Sequence, residues 1–203
     1  MRTAFAILTL LLWAAESRAQ QDFQQGALQW QHDYKAAFLT DEHSPLKATD
    51  TGYVRFYKPD RAYTVQATIT KPATPDTIWM QTHSDDVRAF RVYAVYAVAL
   101  FRLRGKPFRL HIYESVPATA GGTTHLFIPF NDLTNYETTY GGGRYIDVEK
   151  ADIRNGKMLL DFNKAYNPYC AFAEGYSCPI PPVENKLNAR IEAGEQLFGK
   201  AVE

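Results

Sequence analysis

The spacing of apolar side chains changes along the chain from a helical period to a period of two. Over residues 20–39, apolar side chains recur every three or four positions, at Phe23, Ala27, Trp30, Tyr34 and Phe38. This spacing places them on one face of a helix. Beyond residue 52, apolar and polar residues alternate in short runs, which is typical of strands with one buried face. The pattern therefore predicts a leading helix followed by a β-rich body.

The predicted strands of this body are short and are bounded by turn residues. Val, Ile, Tyr and Phe are common inside them, and Gly, Pro, Asn and Asp separate them. The longest segment predicts either two strands with a bend near Tyr96 or one long bent strand, and Asn155-Gly156 predicts a hairpin turn. The predicted strands are residues 53–57, 63–70, 78–82, 87–103, 108–113, 125–130, 144–148 and 157–162.

A second helix is predicted near the end of the chain. Pro182 precedes this segment and Gly199 follows it, as at many helix boundaries. The apolar residues that approximately fit one face of this helix are Val183, Leu187, Ile191 and Leu197. The patterns together predict a mainly β (α+β) fold, a single antiparallel β-barrel or sandwich of about eight strands with an N-terminal and a C-terminal helix. The alternation does not distinguish a barrel from a sandwich.

The first residues of the chain have the pattern of a targeting segment. Arg2 provides a short positive region, residues 4–15 are apolar, and small side chains precede a cut after Ala19. The sequence predicts a signal peptide over residues 1–19 and one β-rich domain over residues 20–203, exported to the periplasm or secreted. An uncleaved anchor or a buried helix is the alternative. No other apolar run is long enough to cross a bilayer, so no membrane span is expected after signal removal.

Charge and short motifs argue against several classes of partner. The chain has 22 basic and 22 acidic residues, with no basic block and no acidic tail, so nucleic-acid binding is not expected. The glycines at 141–143 precede a strand pattern and predict a tight bend or a close backbone approach instead of a phosphate loop. Paired histidine ligands are absent, and no cofactor or histidine-based metal site is predicted. A nucleophile motif is also absent, which argues against acyl-transfer chemistry. Trp30 and Trp79 are predicted to fill the core.

The stretch from Asp161 to Asn185 predicts a long irregular loop. It contains both cysteines and four prolines, and proline interrupts helices and strands. Long ordered loops are uncommon and are usually functional or cross-linked. Cys170 and Cys178 fit a disulfide that closes this loop in an exported chain. Metal binding or redox activity is less favoured, because no histidine lies nearby and the spacing is not Cys-x-x-Cys.

Short polar side chains concentrate in the same part of the sequence and form a candidate ligand site. Arg144 opens a predicted strand and could clamp a carboxylate or phosphate. The carboxylates could act as an acid–base pair or hold a hard cation such as calcium. Equally, these side chains could have a structural role and form hydrogen bonds with the backbone of turns and loops. The candidate ligand-binding residues are Glu137, Arg144, Asp161, Asn163, Asn167, Glu184 and Asn185, and Asp132 and Asp147 accompany them.

Three long motifs lie in this half of the chain: LFIPFND at 126–132, ETTYGGGRY at 137–145, and DFNKAYNPYC followed by CPIPPVEN between 161 and 185. They resemble the bacterial and archaeal family catalogued as domain of unknown function 1684. The resemblance spans nearly the whole mature chain and implies one domain. It implies no activity, because the family has no established biochemistry. The candidate polar residues fall inside these motifs, which fits a shared site and a shared scaffold equally well.

Three functions are compatible with the sequence. The favoured one is an exported binding domain with a small anionic ligand near the bend at residues 141–144 and the loop at residues 161–185. The second is an acid–base hydrolase or isomerase using Glu137 with Asp161 or Glu184. The third is an interaction or structural module of the cell envelope. The sequence names neither a ligand nor a substrate.

Overall fold

The computed structural model describes residues 2–74, 76–83, 89–116 and 125–200, with side chains from Arg18 onward. A long helix precedes an eight-stranded antiparallel sheet that curls into a half-barrel. The strands follow the order β6-β5-β4-β3-β1-β7, with β2 beside β3 and β8 beside β2. The elements are α1 Arg2–Ala37, β1 Thr64–Thr70, β2 Thr77–His83, β3 Phe90–Leu103, β4 Lys106–Ser115, β5 Leu126–Phe130, β6 Arg144–Val148, β7 Lys157–Asp161 and β8 Cys178–Pro179.

The mainly β prediction is confirmed, and all but one of the predicted strands form near their predicted positions. The exception is the segment at 53–57, where Thr51–Tyr53 forms a 3-10 turn and only Phe56 makes an isolated bridge. The turn predicted at Asn155-Gly156 is present, and both residues have the positive φ that a two-residue hairpin turn requires.

At Tyr96, the buried side chains of strand β3 switch from one face of the sheet to the other. Val95 pairs with Tyr113, whereas Ala97 pairs with Ile112, so Tyr96 is an extra residue on β3. Because strand side chains alternate, one extra residue turns the following side chains to the opposite face. The first half of β3 therefore packs on one face of the sheet and the second half on the other. This register shift lies at the position of the predicted bend, and the described part of the segment forms one continuous strand, Phe90–Leu103.

The sheet buries apolar side chains on both faces. The main core, on one face, takes aliphatic and aromatic residues from β1, the second half of β3 and β4 to β7. The outer cluster, on the opposite face, consists of Met80, Tyr93, Tyr113, Phe127 and Tyr145. A third cluster joins the end of α1 to the irregular part of the chain and consists of Phe38, Leu46, Val54, Phe172 and Phe198.

The aromatic stripe predicted on the leading helix is confirmed. Ala27 and Phe38 are buried, and the Tyr34 ring stacks on Trp30 and meets Phe38 edge-on. The expectation that Trp79 fills the core was wrong. Its side chain is 72% exposed, because Met80 is the residue of β2 that faces inward at this position. No helix in the described part of the chain has the length and apolar composition that a membrane span needs.

The predicted C-terminal helix was wrong. Beyond the short 3-10 turn at Val183–Asn185, the segment to Phe198 has no regular helix. From Asn185 to Ala193 the more buried residues alternate with exposed ones at a period of two, because this part of the segment lies extended across the core. Leu187 and Ile191 are four residues apart, a spacing that fits a helix face and one side of an extended chain equally well. Backbone hydrogen bonds to the loop after β5 and to the chain after β7 hold the segment in place.

Candidate functional site

Arg144 lies in the interior at the start of β6 and has no exposed surface. Its Nη2 donates to Asp132 Oδ2 at 2.8 Å and to the Ile191 carbonyl at 2.9 Å. Its Nη1 donates to the carbonyl oxygens of Ala193 and Glu195. Both partners of the Arg144–Asp132 ion pair are fully buried. The guanidinium therefore holds the C-terminal segment against the sheet.

The candidate asparagines bind backbone groups. Asn185 accepts from the His111 N–H at 2.7 Å and donates to the carbonyls of His111 and Pro129. Asn163 accepts from the Asp60 N–H at 2.9 Å and donates to the Asp60 carbonyl. These two buried amides satisfy peptide groups of neighbouring segments, which fits a structural role.

The carboxylates considered for acid–base chemistry each have a different environment. Glu137 is exposed and pairs with Arg190 at 2.8 Å. Asp161 ends β7 and accepts the Thr64 hydroxyl at 2.9 Å, and Glu184 lies on an exposed turn. Within the described residues, no hydrogen bond joins any two of the three. Across the same residues, no three His, Cys, Asp or Glu side chains are placed to hold a metal ion.

The three glycines before β6 form the predicted bend and bring backbone segments close together. Gly143 has φ +91°, and a Cβ there would lie 2.8 Å from the Phe130 carbonyl oxygen and 2.5 Å from Pro181. At Gly142 a Cβ would lie 2.6 Å from His83 Nε2. Glycine is required at 143 both for the backbone conformation and for the close approach.

Cys170 and Cys178 form the predicted disulfide, with their Cα atoms 6.2 Å apart. The closed loop is attached to two other parts of the chain. The Tyr176 hydroxyl donates to the His43 carbonyl at 2.9 Å, just beyond α1. On the other side, β8 pairs with β2. The disulfide loop thus has a fixed position between the helix and the sheet.

A cleft of about 560 Å³ lies between α1, the sheet and this loop. Its size is that of a small-molecule site. We name it the tyrosine cleft. None of the seven candidate ligand-binding residues lines it. The lining residues are Trp30, Asp33, Tyr34, Ala37 and Phe38 from α1, Arg91, Tyr145 and Asp147 from β3 and β6, and Tyr166, Pro168, Tyr169, Tyr176, Ser177, Cys178 and Pro179 from the irregular segment.

The tyrosines of the cleft use their hydroxyl groups within the protein. Burial raises the pKa of Tyr145 and Tyr166 well above the ordinary tyrosine value, so both hydroxyls remain protonated donors. What the cleft offers a ligand is therefore mainly aromatic ring surface. The hydroxyls of Tyr34, Tyr145, Tyr166, Tyr169 and Tyr176 donate respectively to Glu195, the Pro179 carbonyl, Asp147, Asp41 and the His43 carbonyl.

Three charged side chains line the cleft. The side chain of Arg91 makes no hydrogen bond or ion pair with any described residue. Asp147 Oδ1 accepts the Tyr166 hydroxyl at 2.6 Å and lies 3.0 Å from His125 Nε2. This hydrogen bond to Asp147 raises the pKa of His125. Asp33, on α1, has a side chain that is 65% exposed.

A buried carboxyl group, Glu195, connects the helix side of the cleft to the interior. Its Oε2 accepts the Asn167 N–H at 2.8 Å and the Tyr34 hydroxyl at 3.1 Å. Burial raises the pKa of Glu195 to about 8, against the opposing effect of these hydrogen bonds. Its Oε1 and Asn167 Oδ1 both lack a partner in the described structure. A proton on Oε1 makes the carboxyl group neutral, which lowers the cost of burying it.

The sequence directed attention to segments that border the cleft, but of the polar residues that it singled out only Asp147 lines it. Arg144 and Tyr145 are neighbours on β6, so their side chains point to opposite faces of the sheet. Arg144 enters the interior and Tyr145 reaches the cleft. The signal that could have found the cleft is the density of tyrosine in residues 166–176, rather than the polar residues between them.

Comparison with known proteins agrees with the motifs in the sequence. A family model described as "Protein of unknown function (DUF1684)" matches residues 52–196. The chain belongs to this family. The DUF1684 match begins after α1 and therefore includes the sheet, the glycine bend and the disulfide loop, but not the helix side of the cleft.

A solved structure is similar to most of the chain. The solution NMR structure of an uncharacterised protein from gene locus rrnAC0354 of Haloarcula marismortui is 32% identical in sequence. The alignment covers 88% of this chain and 96% of that one, with a TM-score of 0.65. No curated protein matches the chain significantly. The family match and the solved structure therefore support the fold and name no activity.

Proposed function

We propose that this protein is an exported binding protein that holds a small, ring-bearing molecule with an anionic group in the tyrosine cleft. The cleft itself carries the proposal, because a volume of about 560 Å³ with aromatic walls matches a small-molecule site. The tyrosine hydroxyls are held by internal hydrogen bonds, so the ring surfaces are fixed before a ligand arrives. Fixed walls reduce the entropy that binding costs.

Arg91, rather than Arg144, is the proposed anion contact. The terminal nitrogens of Arg144 already donate to a carboxylate and to backbone carbonyls, and no part of the side chain is exposed. Arg91 lines the cleft and has no partner among the described residues. A guanidinium in this situation can bind a carboxylate, sulfonate or phosphate through two parallel hydrogen bonds.

Two fluorescent probes test this proposal. 8-Anilinonaphthalene-1-sulfonate and N-phenyl-1-naphthylamine share one ring skeleton, and only the first carries an anion. We expect the folded protein to bind both, and Arg91→Gln to weaken the sulfonate about tenfold, roughly 1.4 kcal/mol, while leaving the neutral probe unchanged. Arg109→Gln, on an exposed position of β4 outside the cleft, is the matched control. If the folded protein binds neither probe, the proposal fails and the envelope interaction module becomes the favoured function.

Export forms part of the same proposal. The Ala19 carbonyl accepts from Arg61 Nη1 at 3.2 Å, so α1 contacts the body of the domain at this residue. A cut after Ala19 would keep the cleft-lining part of α1 in a mature domain of residues 20–203. We expect mass spectrometry of protein recovered from a bacterial periplasm to give a chain that begins at Gln20 and contains an oxidised cysteine pair. A chain that keeps its first residues would contradict the cleavage.

A further inference from the structure

We infer that the tyrosine cleft takes a zwitterionic ligand, with Arg91 binding its anionic group and Asp147 binding its cationic group. The inference rests on the proposed function and specifies the ligand class of the same site. The class is a ring-bearing amino acid, or a compound with the same arrangement of an ammonium group, a carboxylate and a ring.

The position of Asp147 is the first observation. Its Oδ1 accepts the Tyr166 hydroxyl at 2.6 Å and lies 3.0 Å from His125 Nε2, so the carboxylate is oriented from two sides. Its Oδ2 has no hydrogen bond within the described residues, and its side chain is 55% exposed while lining the cleft. An oriented carboxylate with one open oxygen is suited to accept from an ammonium group.

The other polar groups of the cleft are already in use. The Ser177 hydroxyl donates to the Thr82 hydroxyl at 2.8 Å, and the tyrosine hydroxyls have the internal acceptors given above. Asp33 accepts from Gln29 on the adjacent turn of α1 and is more exposed than Asp147, so water screens it more strongly. Recognition of charge in the cleft therefore depends mainly on Arg91 and Asp147.

The aromatic walls favour the same class of ligand. Tyr145 and Tyr166 meet edge-on with ring centroids 5.9 Å apart, and both line the cleft together with Asp147. Tyrosine rings attract an ammonium group through their negative faces and also pack against an apolar ring. A ligand with an ammonium group, a carboxylate and a ring would use each of these surfaces.

Three probes that differ by one charged group test the inference. Phenylalanine carries both charges, 3-phenylpropionate lacks the ammonium, and phenethylamine lacks the carboxylate. Isothermal titration calorimetry on the oxidised protein should show phenylalanine binding at least about tenfold more tightly than either analogue. This comparison uses the unmodified protein and does not depend on whether any variant folds.

Two variants assign the charges. Asp147→Asn should weaken phenylalanine and phenethylamine about tenfold and leave 3-phenylpropionate within about twofold. Unchanged binding of 3-phenylpropionate also shows that the variant cleft is intact. Arg91→Gln should have the mirror-image effect. Asp22→Asn, at an exposed position of α1 outside the cleft, is the control and should change none of the three affinities.

The inference is overturned if phenylalanine and 3-phenylpropionate bind equally well and Asp147→Asn weakens neither. It is also overturned if none of the three binds to protein that does bind the anilinonaphthalene probe. Both results would leave the proposed function in place. Failure of the proposed function is distinct, because in that case the naphthalene probes themselves would not bind.

Discussion

At the scale of single residues, burial decides which charged side chain supports the fold and which can meet a ligand. Asp132 is buried and accepts from the Thr134 N–H and hydroxyl, the Ile191 N–H and Arg144. A buried ion pair is tolerated when further hydrogen bonds support it, and here both terminal nitrogens of Arg144 donate to backbone carbonyls, whereas its Nε has no partner in the described structure. Arg91 carries the same functional group as Arg144 in an exposed position and has no described partner. The sequence alone cannot distinguish two such arginines.

Replacing Arg144 by Ala should destabilise the fold strongly. The change would leave Asp132 as a buried unpaired carboxylate and remove the donors for three backbone carbonyls, so we expect a loss of about 3–5 kcal/mol in the free energy of unfolding. Urea denaturation followed by far-ultraviolet circular dichroism measures it. Arg109→Ala, at an exposed position, should stay within about 0.5 kcal/mol of the parent. An unchanged midpoint for Arg144→Ala would mean that Arg144 is available for ligand binding after all.

At the scale of elements, two local features change the arrangement expected from the simple alternation of apolar and polar residues. The extra residue Tyr96 lets one strand, β3, serve both the main core and the outer cluster. The C-terminal segment supplies Leu187, Ile191 and Ala193 to the main core in an extended form. In both cases the backbone takes the conformation that lets apolar side chains cover a face of the sheet that would otherwise be exposed.

The glycine bend before β6 provides an element-scale prediction. Gly143→Ala should cost at least about 2 kcal/mol more than Gly105→Ala, as judged by thermal melts converted to free energy. Both positions have positive φ, but only at Gly143 would the new Cβ meet backbone, namely the Phe130 carbonyl oxygen at 2.8 Å. Gly105 is therefore the matched control for φ alone. Equal costs at the two positions would show that the close approach does not constrain the bend.

At the scale of the whole molecule, the cleft exists because three distant parts of the sequence meet. The helix α1 provides one wall, the sheet provides the second, and the disulfide loop provides the third. Glu195 lies where these parts converge, bonded to Tyr34 of the helix and to the backbone of Asn167. Its protonation therefore affects the packing of the helix on the rest of the domain.

The raised pKa of Glu195 predicts a pH-dependent stability. The native carboxyl keeps its proton up to about pH 8, whereas the unfolded chain loses it near pH 4.5. Between these values the native state binds more protons, so the free energy of unfolding falls as pH rises, by at most about 1.4 kcal/mol per pH unit. Glu195→Gln keeps a neutral side chain at every pH and should remove this contribution.

Urea denaturation between pH 4.5 and 9 measures the effect. The stability advantage of Glu195→Gln over the parent should be small at the acidic end and grow through neutral pH. Glu192→Gln, an exposed neighbour, serves as the control for a general loss of negative charge. A difference between Glu195→Gln and the parent that stays constant with pH would contradict the raised pKa.

The local sequence determined those elements that depend only on the spacing of apolar residues and on the types of adjacent residues. Strict alternation fixed β1, the residues of β6 matched the predicted bounds, and the aromatic stripe of α1 indicated the face that packs. The pair Cys170 and Cys178 and the turn at Asn155-Gly156 followed from spacing and residue type alone. Each of these features is decided by interactions within a few residues or by a short closed loop.

Only the tertiary structure decided the rest. Leu187 and Ile191 fit two periods, and the surface that needed covering selected the extended form. Arg144 and Tyr145 differ by one position, yet one completes the interior and the other lines the cleft. The physical reason is that burial and the identity of a charge's partner depend on residues far away in sequence, whereas backbone period and turn chemistry depend on adjacent ones.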